Sequence, residues 1–216
     1  MRRTFIAAIT ILALLPGLAF AAVQSISYNT STPIPVTLTD WTGTLSFQQF
    51  DPSKGTLVKV KIDLSGSMST VLTITNDSDS PSSGTAKTEL QISVQDAGGN
   101  MNAPQLDLFS SLFGYSLNGH QSIGSGMLTQ SGVSSEEFTS ATVLNEFTGL
   151  GTIALPASSY TQTWLTNTGG NTYASQVTSA CLTGCVTYYY VPEPASVLSL
   201  AGMLLPAAFL FRRRKA

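Results

Sequence analysis

Across residues 22–190, apolar side chains recur at every second position in short runs broken by Gly, Pro, Asn and Asp. Residues 57–64 place Val58, Val60, Ile62 and Leu64 on one face and Lys59, Lys61 and Asp63 on the other, the period of a half-buried strand. A Ser65-Gly66-Ser67 turn is expected next, then a strand at 71–75. Residues 88–95 alternate again, with Leu90, Ile92 and Val94 facing in. Weaker strands are expected at 43–50, 138–147, 151–155, 160–165 and 185–191, and a short helix is conceivable at 104–113. Asn76-Asp77, Pro81-Ser82-Ser83-Gly84, Ala97-Gly98-Gly99-Asn100 and Thr168-Gly169-Gly170-Asn171 supply the turns.

Eight or so short strands predict an all-β fold: a single antiparallel β-sandwich of jelly-roll type over residues 22–190. The pattern supplies no crossover helices for a parallel sheet, and no fixed-period repeat for a solenoid or propeller.

The two ends break the alternation. Arg2-Arg3, an apolar run over 5–15, Pro16-Gly17 and the small residues Ala19 and Ala21 form a signal-peptide pattern with cleavage after Ala21. An uncleaved anchor is the alternative; the short run and small-residue exit favour removal. Such a segment implies the Sec translocon and signal peptidase as partners. At the other end, Val191-Pro192-Glu193-Pro194 precedes seventeen uncharged residues (195–211) and Arg212-Arg213-Arg214-Lys215. Seventeen residues is the lower limit of a transmembrane helix, and the basic cluster would hold its end in the cytoplasm. Pro192 and Pro194 keep the tripeptide extended at the outer boundary of the membrane.

That order of Pro-Glu-Pro motif, apolar span and basic end resembles the PEP-CTERM sorting signal. The resemblance covers 191–216 and implies sorting and processing by exosortase, a multi-spanning Cys protease/transpeptidase of Gram-negative bacteria. It places the product at the cell surface or in an exopolysaccharide matrix after transient anchoring in the inner membrane. The segment Phe50-Asp51-Pro52-Ser53-Lys54-Gly55-Thr56-Leu57 resembles an entry motif of the choice-of-anchor E family of extracellular domains, which implies fold and location but no activity. Physically it reads as a turn opened by Asp51-Pro52, with Gly55 at the positive-φ position.

Charge sharpens the picture. Residues 22–192 hold eleven acidic residues against four lysines and no arginine, so the body is near −7 while the basic residues gather at the ends. This excludes nucleic acid as a partner and opposes binding to anionic lipid. Charged residues make up only 10% of the chain, so hydroxyl and amide side chains must keep the body soluble.

Candidate chemistry is sparse, and no cofactor, metal or catalytic residue is expected. Cys181 and Cys185, with three residues between them including Gly184, are expected to form a structural disulfide in an oxidising compartment, stabilising by about 2 kcal/mol. His120 lies in a polar loop, and Ser122 beside it lacks a Gly-x-Ser-x-Gly setting. Glu136-Glu137 offer paired carboxylates, and Asp77-Ser78-Asp79-Ser80 offers oxygen ligands for Ca²⁺ without the EF-hand spacing. Trp41, Tyr115, Tyr160, Trp164 and Tyr173 could fill a core or stack on sugars. The leading expectation is a non-catalytic surface or matrix protein; the alternatives are a carbohydrate-binding module or adhesin and, behind it, a secreted hydrolase.

Overall fold

The alternation is realised as ten antiparallel strands in a computed structural model that describes residues 22–101 and 105–193. Val23–Pro192 pack as one unit. Sheet A orders β1 (Gln24–Asn29), β10 (Thr172–Val191), β4 (Thr56–Asn76) and β8 (Ser122–Phe138), with β2 (Ile34–Leu38) also on β10. Sheet B orders β3 (Thr42–Gln48), β9 (Thr152–Gly169), β5 (Ser82–Val94) and β6 (Gln105–Phe109), with β7 (Phe113–Leu117) also on β5. Counting β1/β2 and β6/β7 as one strand each, this strand order is the eight-strand winding of a jelly roll. A short helix α1 (Ala141–Glu146) and a 3₁₀ turn (Pro52–Lys54) complete it. No helix among the described residues is long and apolar enough to cross a membrane.

Several local expectations change. No turn interrupts residues 65–67: β4 runs unbroken for 21 residues, about 70 Å at 3.3 Å per residue. Gly66 faces inward, where a Cβ would stand 2.8 Å from Leu106 Cδ2, so its small size serves sheet packing rather than a turn. Residues 138–147 are not a strand, because Ser140 caps α1 by accepting from Val143 N. The conceivable helix at 104–113 is replaced by β6 and the start of β7, since Leu106 and Leu108 alternate into the core.

The expected disulfide is also overturned. Cys181 and Cys185 are free thiols on one extended strand, β10, both on its outward face. Four residues of strand separate them by about 13 Å, well beyond the ~7 Å Cα limit for a bridge. Gly184 does not turn the chain; it pairs with Leu64, and its missing side chain admits the ring of Phe47.

Inward positions build two core clusters, a large one around Phe47, Phe50, Phe147 and Tyr188, and a smaller one around Leu72, Ile74 and Tyr115. Between them lies a buried threonine triad: Thr70 Oγ1 is 2.7 Å from Thr178 Oγ1 and 3.1 Å from Thr88 Oγ1, so the hydroxyls join the two sheets and satisfy one another. Burial pushes the Tyr188 hydroxyl far above its ordinary pKa, and it donates to Gln48 O at 2.7 Å.

The chain enters and leaves sheet A at one end, where Gln24 pairs with Tyr190. The Asp51 turn forms as expected: Asp51 Oδ1 accepts from Ser53 N at 2.9 Å, and Gly55 takes φ 141°. A Cβ on Gly55 would stand 2.2 Å from Val191 O and 2.8 Å from Pro192 Cα, so this glycine lets the turn press against the last residues of β10. Of the sorting motif, Pro192 and Glu193 are described. The signal segment with Ala19 and Ala21, Pro194, the span 195–211 and Arg212, Arg213, Arg214 and Lys215 lie outside the described residues.

Candidate binding face

Sheet B turns one chemically distinctive face to solvent. Along β9, Tyr160, Gln162 and Trp164 point outward while Leu155 and Ala157 fill the core. Register sets them against the outward residues of β5: Tyr160 opposite Gln91, Gln162 opposite Glu89, Trp164 opposite Lys87. On the next strand, Phe109 stands opposite Glu89, and Asp107 opposite Gln91. Three neighbouring strands thus present aromatic, amide and charged groups on one surface.

Glu89 organises this surface. The residue is only 7% exposed although it lies on the outward side of β5, flanked in register by Gln162 and Phe109. Oε2 accepts from Trp164 Nε1 at 2.5 Å and from Gln162 Nε2 at 2.6 Å. The bond from Trp164, then that from Gln162, holds the Glu89 carboxyl below the usual carboxylate range against the opposing effect of burial. The charged acceptor fixes the indole by its edge, leaving the rest of a side chain that is 53% exposed open to a ligand. Tyr160 is 57% exposed and four strand residues away, about 13 Å. Lys87 Nζ lies over the Phe109 ring at 4.6 Å from its centroid, and Gln105 Nε2 donates to Asp107 Oδ1 at 3.1 Å.

Two spaced aromatic surfaces, with amides and charges between them, suit stacking on sugar rings and hydrogen bonding to their hydroxyls. Glu89 is poorly suited to proton donation, because its partners favour the ionised form and a general acid must carry a proton.

The other sequence candidates separate. Trp41 is half-buried against the main core, and Tyr115 is buried with its hydroxyl donating to Thr166 O at 2.9 Å. Tyr173 is exposed, but on the outer face of sheet A. Of the five aromatics, the fold therefore brings together Tyr160 and Trp164. His120 Nε2 meets Asp79 Oδ1 at 2.8 Å in an exposed pair, while Ser122 bonds Thr75 Oγ1 on β4. Residues 77–80 are organised by the buried Asn76, whose Oδ1 accepts from Ser78 N and whose Nδ2 donates to Ser80 O and Asn118 O. No cluster of three metal-ligating side chains occurs among the described residues. Glu136 and Glu137 face opposite sides of β8, and Glu137 pairs with Lys59 at 2.9 Å.

Sequence reasoning missed Glu89, Gln162, Lys87, Gln91, Phe109 and Asp107. The signal was present in the outward halves of two alternating segments, Lys87-x-Glu89-x-Gln91 and Tyr160-x-Gln162-x-Trp164. Pairing them required knowing that β5 and β9 are neighbours.

No family model matches the chain, and no curated protein matches it. Among solved structures, a chain of mud crab tombus-like virus aligns at 7% identity over 92% of this chain and 96% of its own, with a TM-score of 0.23. A T13 viral particle of infectious bursal disease virus aligns at 13% identity over 90% of this chain and 46% of its own, with a TM-score of 0.16. This chain thus spans about half the length of that viral one. Likeness this low carries no argument, and the fold rests on the strand order itself.

Proposed function

We propose that this chain is an exported, non-catalytic surface protein, sorted and C-terminally processed by exosortase, whose body holds neutral polysaccharide on the outer face of sheet B. The observation that carries the binding half is Trp164, anchored by the ionised Glu89 and presented with Tyr160 across a row of amides. A body near −7 repels acidic polymers, which favours a neutral ligand. The sorting half rests on resemblance of the tail to the PEP-CTERM signal. It is supported by the pairing of Gln24 with Tyr190, which brings both ends of the body to one end of sheet A.

The binding half is tested by applying the full chain to a glycan array and to immobilised neutral polysaccharides. Binding that disappears with Trp164→Ala supports it; silence across the array sinks it. The sorting half is tested by intact-mass analysis of the mature protein from an exosortase-bearing host. Cleavage after Ala21 and processing near Pro192 are expected, and deletion of 195–216 should block surface delivery. Normal delivery of that truncation would overturn the sorting half.

A further inference from the structure

The jelly roll leaves four outer strand edges, and three are guarded. β1 and β2 are short, and Pro35 lies within β2. The edge of β3 is capped by the preceding loop: Ser31 N donates to Ser46 O, Thr32 Oγ1 to Thr44 O, and Ser46 N to Thr32 Oγ1. The remaining edge of sheet B is broken into β6 and β7, five residues each. β8 differs. It is 17 residues long, pairs with β4 alone, and forms no backbone–backbone hydrogen bond on its other side among the described residues.

Guards occur only at its ends, where a bulge falls between Gly124 and Met127 and Glu136-Glu137 supply charge. Residues 127–135 (Met-Leu-Thr-Gln-Ser-Gly-Val-Ser-Ser) contain no charge, no proline and no bulge. They also hold two of the most exposed large apolar side chains, Val133 at 80% and Met127 at 72%, both on the outer face.

We infer that this stretch pairs antiparallel with the same stretch of a second copy of the chain, about a two-fold axis at Ser131. That register sets Ser131 against itself, Thr129 against Val133 of the other copy, and Met127 against its Ser135, with outward residues on one continuous face. Charge selects the direction. Antiparallel pairing sends the two Glu136-Glu137 pairs to opposite ends of the junction, whereas parallel pairing would stack them. Small residues at the centre, Ser131 and Gly132, allow close approach, and the unpaired N–H and C=O groups of both edges find partners.

The full chain carrying Cys181→Ser, Cys185→Ser and Ser131→Cys, oxidised in intact cells, is expected to give a covalent dimer on a non-reducing gel. Ser175→Cys in the same background, on the outer face of β10, should stay monomeric. Sedimentation of the detergent-solubilised chain supplies a second measurement, in which Ser131→Lys should weaken the dimer about tenfold by setting like charges opposite each other. Absence of the Ser131→Cys dimer, equal cross-linking at Ser175→Cys, or a Ser131→Lys chain that associates as strongly as the parent would each overturn the pairing.

Discussion

The outer faces of sheets A and B arise from the same alternation but hold their polar groups in different ways. On sheet A, hydroxyls pair across strands: Ser27 with Thr187 at 2.8 Å and Thr75 with Ser122 at 2.8 Å, while Ser67 stands 3.1 Å from the Cys181 thiol. Short side chains satisfy each other there and leave shallow grooves, one of about 320 Å³ lined by Ser67, Ser69, Thr129, Ser131 and Ser179. Sheet B has such hydroxyl pairs too, Thr85 with Thr166 at 2.8 Å and Ser93 with Ser158 at 3.1 Å, but between them a carboxylate gathers donors from the neighbouring strand and locks an indole in place. Pairwise hydroxyls stiffen a surface without giving it direction. A charged acceptor beneath aromatic side chains creates fixed stacking surfaces, which is what selective binding of a sugar chain needs. Sheet A is better matched to being extended edge to edge.

The strongest test of this contrast removes one exposed aromatic from each face. Trp164→Ala should weaken polysaccharide binding by about 2 kcal/mol, roughly thirtyfold in Kd. Tyr173→Ala on sheet A should leave it within about twofold. Isothermal titration with the best ligand from the array checks both. Equal losses would erase the distinction between the faces.

Glu89→Gln keeps the size of the anchor but removes its charge, and an affinity loss of about tenfold is expected. Acidification should act in the same direction on the parent chain. Because the folded carboxyl titrates below its ordinary 4.5, its stabilising contribution is complete above that value and is lost as pH falls through the lower folded value. Tryptophan fluorescence followed downward from pH 5 should therefore show a transition that Glu89→Gln abolishes. A transition unchanged in the variant would assign the anchor elsewhere.

A smaller effect separates two lysines that both lie over aromatic rings. Lys87 sits 4.6 Å from the Phe109 centroid on sheet B, and Lys59 sits 4.2 Å from that of Tyr189 on sheet A. Each contact is worth about 0.5–1 kcal/mol at an exposed site. Lys87→Met should lower affinity a few-fold, whereas Lys59→Met should change thermal stability and leave affinity alone. A Lys59→Met chain with weakened binding would blur the division between the faces.

How much of this was legible in the chain depends on the range of the interaction. Period-2 runs at 57–64 and 88–95 announced strands, and Asp51-Pro52 with Gly55 announced the turn, because neighbouring residues decide both. Strand length was hidden. Ser65-Gly66-Ser67 and Gly184 looked like turn residues, yet both glycines are small because side chains from the opposite sheet, Leu106 and Phe47, occupy the space. The candidate binding face was hidden for a similar reason: Glu89 and Trp164 are 75 residues apart, and no local pattern brings them together.

The smallest expected effect bears on sheet A and on the same Gly184. Cys181 and Cys185 project outward from β10 opposite Ser67 and Asp63, and neither thiol reaches the other. Replacing both with serine removes no cross-link and little buried surface, so stability should change by no more than about 0.5 kcal/mol. At 2–4 °C per kcal/mol for a domain of this size, the melting temperature should move by no more than about 1–2 °C, and a reductant should leave that of the parent unchanged. A disulfide would behave differently: the parent would be lighter by two hydrogens and would lose stability on reduction. Forming that bridge would also require β10 to fold back at residues 182–184, breaking its pairing with β4 midway along the sheet. The thermal shift therefore tests whether the hydroxyl face is one continuous surface along β10 or is interrupted at its centre.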